Sequence, residues 1–145
     1  MLRNAANPID VTQHGLLVVE DALVHRTIIS KVGDNVGFVA RTASSVEAAE
    51  ALLRAEDFDA ITLDLGLGEH VGIEVLRLLA ELNSQTPVII ISGSEDAVLE
   101  ETCRIGRSLG LNIWTPLRKP IDLTLLREML EQIRPCSGPH RLART

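Results

Sequence analysis

The chain has 145 residues, 46% hydrophobic and 23% charged, a length and balance that suit one globular domain and exclude a disordered chain. Its formal net charge of −6 argues against direct binding to nucleic acid, because a surface that grips phosphates must be basic. No apolar run reaches membrane-spanning length, no signal-peptide pattern opens the chain, and Cys103 and Cys136 lack metal-ligand spacing; the expectation is a cytoplasmic protein with free thiols and no membrane contact.

Residues 1–14 are polar and unpatterned and read as a flexible leader to a domain over 15–134. Gly15 to Val19, followed by Glu20 and Asp21, is an apolar run of strand length that ends in two acids. Leu23, Ile28 and Val32 then recur at roughly helical spacing from Ala22 onward, and Gly33-Asp34 is expected to close that helix. Val36 to Ala40 reads as a second strand. Ser44-Ser45-Val46-Glu47 looks like a capped helix start, a serine with an acid three residues on, continued by Ala48, Ala49, Ala51, Leu52 and Leu53.

Asp59 to Leu65 is a third strand with Asp64 near its carboxyl end. A glycine-rich turn (Gly66, Gly68, Gly72) leads into an amphipathic helix through Val75, Leu76, Leu79 and Leu82. Pro87 to Ile91 is the most hydrophobic strand and runs into Ser92-Gly93-Ser94. A helix from about Glu95 to Leu109 follows, then a fifth strand over Leu111 to Leu117, ended by Arg118-Lys119-Pro120. The last helix spans Leu123 to Ile133, and residues 135–145 resemble a tail or the opening of a linker.

Strands alternating with helices imply right-handed crossovers and an open parallel sheet covered on both faces. Ligands of such sheets bind beyond the carboxyl ends of the strands. Four strand ends carry candidates: Glu20 and Asp21 after the first, Asp64 at the third, Ser92 after the fourth and Lys119 after the fifth. The second ends in Arg41-Thr42, which has no evident role. Crowded carboxylates repel, and a hard divalent cation such as Mg²⁺ relieves that repulsion. A cation and an ammonium beside a carboxylate suit phosphoryl transfer, where neutralising charge is most of the protein's work. The serine hydroxyl can then hydrogen-bond the attached phosphoryl oxygen.

These residues resemble the receiver domain of two-component response regulators, from about Gly15 to Ile133. The family's paired acids match Glu20-Asp21, its phosphorylated aspartate Asp64, and its glycine eight residues later Gly72. Its Ser/Thr followed by a small residue matches Ser92-Gly93, and its Lys-Pro pair matches Lys119-Pro120. The resemblance implies a CheY-like, flavodoxin-like α/β fold of (βα)5 type, with strand order 2-1-3-4-5. It implies Mg²⁺ held by Asp21, Asp64 and the Gly66 carbonyl, with Glu20 acting through water. It also implies a phosphoryl group contacted by Ser92 and Lys119, a structural Gly72 and a cis peptide before Pro120. The partners would be a sensor histidine kinase or phosphotransfer protein, a second copy of the chain on the last two helices, and a C-terminal output domain outside the chain. A receiver assists its own phosphorylation and dephosphorylation and is not an enzyme in the ordinary sense.

Two positions depart from the family's pattern. Gly68 stands where proline is usual, four residues after Asp64, and Pro116 stands where an aromatic usually swings inward, three residues before Lys119. The surroundings of Pro116 are similar to receivers fused to EAL-type cyclic-di-GMP phosphodiesterases. Three other readings compete. One is a pseudo-receiver, an interaction module that is never phosphorylated. Another is a flavin-binding flavodoxin, which Glu20-Asp21 opposes because acids repel a phosphate. The third is an aspartyl phosphatase, for which Asp64-Leu65-Gly66 lacks the second acid. His14, His25, His70 and His140 show no mutual spacing for a metal site and are expected at the surface or in packing roles, and Trp114 is expected to pack.

Overall fold

Runs rich in Val, Ile and Leu, too short to be helices, pair side by side into one parallel sheet of five strands in the order β2-β1-β3-β4-β5. The computed structural model describes residues 14–67, 69–93 and 96–134. In chain order the elements are β1 (His14–Val19), α1 (Leu23–Asn35), β2 (Phe38–Ala43), α2 (Val46–Ala55), β3 (Ala60–Asp64), α3 (Glu69–Glu81), β4 (Val88–Ser92), α4 (Asp96–Ser108), β5 (Leu117–Arg118) and α5 (Leu123–Ile133). A 3-10 turn over Leu65–Leu67 joins β3 to α3. This is the flavodoxin-like arrangement that the alternation of elements implies. Residues 1–13, Gly68, Ser94 and the tail with Cys136 and His140 lie outside the described residues.

Side chains alternate across the sheet and build two cores. Leu17, Val19, Ile61, Leu63, Val88 and Ile90 face α2, α3 and α4 through Ala49, Val75, Leu76, Leu79, Leu99 and Cys103. Leu16, Val18, Ala60, Ile89, Ile91 and Leu117 face α1 and α5 through Ile29, Leu126, Met129, Leu130 and Ile133. Trp114 is half-buried against this second core, a packing position. Cys103 is buried, and burial raises its thiol pKa above the ordinary value.

Several boundaries move from their expected places, each for a physical reason. β1 begins one residue early, at His14, which pairs with Phe38 in register and sits buried with its Nδ1 3.7 Å from Asp59. α1 does not stop at Gly33. It continues to Asn35, because Gly33 is a close-approach residue: a Cβ there would lie 2.6 Å from Leu16 Cδ2. The chain reverses instead at Gly37, whose φ of 96° favours glycine, and so β2 starts at Phe38 and runs to Ala43. α2 is capped by Ser45, not Ser44; its Oγ accepts from the Ala48 amide at 3.1 Å, and Glu47 falls in the first turn. The fifth strand shrinks most. Ladder-type bonds link Val88 to Asn112 and Trp114, but Pro116 has no N–H to offer, and regular pairing is confined to Leu117–Arg118. α5 starts as expected, with Asp122 Oδ1 accepting from the Leu125 amide.

Candidate functional site

Register decides which strand ends meet. Val19 of β1 stands opposite Leu63 of β3, which sets the next residues, Glu20 and Asp64, side by side. Asp64 is level with Ile91 of β4, and Ser92 is level with Arg118 of β5, one residue before Lys119. The carboxyl ends of four strands therefore converge, and Glu20 and Asp64 are each only 1% exposed. Lys119 is held there by its own amide, which donates to the Ser92 carbonyl at 3.0 Å, and its peptide bond to Pro120 is cis.

The Lys119 ammonium donates to Asp64 Oδ2 at 2.8 Å and lies 3.8 Å from Glu20 Oε1. The Gly66 amide donates to Asp64 Oδ1 at 2.9 Å, and the Ala22 amide donates to Glu20 Oε2 at 3.0 Å. Gly66 also leaves room for the acid: a Cβ on it would stand 3.2 Å from Asp64 Oδ2. Gly72, in α3, allows that helix to close on Leu65, whose Cδ2 would lie 2.6 Å from an added Cβ. Ser92 is buried at the end of β4.

Two buried acids of like charge take on different protonation behaviour. Burial raises the Glu20 carboxyl from 4.5 to about 7, and the neighbouring Asp64 adds to the rise. Burial pushes Asp64 upward as well, but the Glu20 carboxyl, the Lys119 ammonium and the Gly66 amide together outweigh it, and its pKa ends below the ordinary value. Asp64 is thus the ionised partner, with an oxygen ready for nucleophilic chemistry. Glu20 Oε1 is buried without a hydrogen-bond partner. An orphaned carboxylate oxygen beside a second carboxylate is a donor set that suits a hard divalent cation.

The structure does not bring every expected residue to this point. Asp21, expected to ligate a cation directly, is exposed and lies outside the group of converging ligand atoms formed by Glu20, His25 and Asp64. Asp21 lies beyond the end of β1, at the bend before α1, while Glu20 is buried. Arg41 pairs with Glu56 on the surface at 3.1 Å and has no part in the site. His25, expected to have a surface or packing role, is the residue missed: its Nδ1 lies 3.2 Å from Lys119 Nζ and 3.8 Å from Glu20 Oε1. The only signal for it was a place in the first turn of the helix that follows the acid pair. A cavity of about 220 Å³ between His25, Ile28, Lys119, Pro120, Ile121 and Leu123 opens beside these groups. A larger cavity, about 450 Å³ and lined by Glu56, Asp57, Phe58, Leu79 and Thr86 among others, is at the opposite end of β3, away from Glu20 and Asp64.

The model of the response regulator receiver domain family matches residues 16–131. The chain belongs to that family. It is 34% identical over 122 residues to the regulatory protein VirG of Agrobacterium tumefaciens, a match covering 84% of this chain and 42% of VirG. It is 30% identical over 118 residues to the regulator of RpoS of Escherichia coli, covering 79% of this chain and 33% of that protein. The receiver thus spans less than half the length of these curated relatives. A response regulator from Colwellia psychrerythraea superposes with a TM-score of 0.73 at 27% identity, over 83% of this chain and 96% of the other. Family membership removes the flavodoxin and phosphatase readings and leaves an acidic pocket at the end of a receiver sheet. Among the described residues, no helix of the receiver is long and apolar enough to cross a membrane.

Proposed function

We propose that this receiver is a phosphorylation-controlled switch whose acceptor is Asp64. The observation that carries the reading is the buried Asp64 carboxylate held 2.8 Å from the Lys119 ammonium, beside Glu20. The donor is a phosphohistidine of a sensor histidine kinase or phosphotransfer protein. An Asp64 oxygen attacks phosphorus, the P–O bond forms as the P–N bond breaks, and the donor imidazole leaves with its ring electron pair. Lys119 then balances charge on the phosphoryl oxygens, and the Ser92 hydroxyl, at the end of the adjacent strand, donates to one of them. Glu20 and Asp64 would hold Mg²⁺, with the Gly66 carbonyl and Asp21 as the further oxygen donors that the resemblance to receivers implies. When bound, that ion neutralises the negative charge that accumulates as the phosphoryl group arrives.

Exposed Ile28 of α1 and Leu123 of α5 line the His25–Lys119 cavity together with Pro120 and Ile121, which supports docking of a donor protein there. The phosphorylated state is read by an interaction surface, a second copy of the chain or a C-terminal output domain, an EAL-type phosphodiesterase being one kind. The chain works in the cytoplasm and is not itself an enzyme. The meeting of Glu20, Asp64 and Lys119 supports a phosphorylated receiver over one that is never phosphorylated.

Incubation with acetyl phosphate and Mg²⁺, followed by intact mass, tests the acceptor. One phosphoryl group is expected on the parent and none on Asp64→Asn. A gain on both would assign the acceptor elsewhere, and a gain on neither would refute the switch for small donors.

A further inference from the structure

We infer that His25 is a nitrogen ligand of the acidic pocket, and that it turns an oxygen site suited to Mg²⁺ into one that prefers a divalent cation of the later first transition series. The inference rests on the cation reading above and extends it to which cation is taken. His25 Nδ1, a Glu20 carboxylate oxygen and an Asp64 carboxylate oxygen lie within 4.8 Å of one another. Two donors bound to one such cation at about 2.1 Å lie roughly 3–4.2 Å apart. The 3.8 Å between His25 Nδ1 and Glu20 Oε1 already falls in that range.

The second observation is independent of the clustering. Glu20 is 1% exposed, and its Oε1, the oxygen nearest His25, has no hydrogen-bond partner. The third concerns the imidazole's tautomer. Lys119 Nζ is 3.2 Å from His25 Nδ1, and an ammonium can only donate. That contact suits the tautomer with its lone pair on Nδ1, the form in which imidazole binds a metal through this atom. The Lys119 ammonium contacts Asp64 and His25 and lies near Glu20, the place of a cation. Its stem is flexible and partly exposed, which lets it give way to a dication that the three donors share. Imidazole raises affinity for Co²⁺ and Ni²⁺ far more than for Mg²⁺, which keeps to oxygen ligands.

The test is a pair of calorimetric titrations of the tag-free chain with Mg²⁺ and Co²⁺, with the visible absorption of bound Co²⁺ recorded alongside. In His25→Leu the ratio of Co²⁺ to Mg²⁺ affinity is expected to fall about tenfold or more, with Mg²⁺ affinity little changed and the Co²⁺ bands altered. Mg²⁺ binding by the variant also shows that the acid pair is intact. Should His25→Leu lose Mg²⁺ as well, His25→Gln, which keeps a polar side chain, is judged by the same ratio. An unchanged ratio and spectrum would overturn the inference while leaving the Mg²⁺ reading in place. A parent chain that binds neither cation would overturn both.

Discussion

Glu20 is buried in a conformation that burial alone makes expensive to ionise, and this has a consequence for stability. Its pKa is about 7 in the folded chain against 4.5 ordinarily, and so between these values the folded state holds a proton that the unfolded state has lost. Stability of the metal-free protein should therefore fall as pH rises from about 4.5 to about 7, by on the order of 3 kcal/mol at most. Asp64 acts oppositely and at lower pH, because its folded pKa is depressed below 3.8 and its contribution is lost on acidification. Urea denaturation in EDTA at pH 5 and pH 8 checks the sign, and Glu20→Gln should flatten the slope across that window. Lys119 sits on the other side of the same balance. Lys119→Met leaves two buried acids without their ammonium and should cost about 2 kcal/mol at pH 8. That is less than for a fully buried pair, because Lys119 is 22% exposed. At this scale Asp64, Glu20 and Lys119 were legible from their places at strand ends. His25 was not, because its approach to Lys119 spans 94 residues and depends on how α1 is rotated.

Glycines govern how the helices lie on the sheet, and two of them look alike in sequence while acting differently. Gly37 has a φ of 96° and makes the turn into β2, whereas Gly33 sits inside α1 and brings it onto Leu16. Gly33→Ala adds a methyl group 2.6 Å from Leu16 Cδ2 and should destabilise the protein by about 1–3 kcal/mol, despite alanine's better helix propensity. Thermal or urea unfolding checks the cost. Combining the change with Leu16→Val should cost less than the sum of the two single effects, because the smaller side chain makes room. The early end assigned to α1 and the long fifth strand both came from local pattern. Tertiary contact overrode each of them, through Leu16 at Gly33 and through the missing N–H of Pro116 in the ladder beside β4.

The sheet as a whole is a frame that forces like charges together. Two acids at adjacent strand ends, buried to 1% exposure, are a local cost that the rest of the core sustains. A dication that binds the folded chain and not the unfolded one offsets that cost. At pH 8, millimolar Mg²⁺ should raise the melting temperature of the parent by several degrees, and Asp64→Asn should abolish most of the gain; differential scanning calorimetry checks both. A melting temperature unmoved by Mg²⁺ would count against a cation at this pocket.

The order of strands and helices, the two-sided burial of the sheet and the chemistry at its carboxyl edge were determined by the sequence, because each rests on spacing between near neighbours in the chain. Which acid points inward was decided by tertiary structure. The β1–β3 register sets Glu20 beside Asp64, while Asp21, at the bend before α1, is exposed. The meeting of His25 with Lys119 was decided there too, since a helix can approach a sheet end in many orientations and only packing selects one.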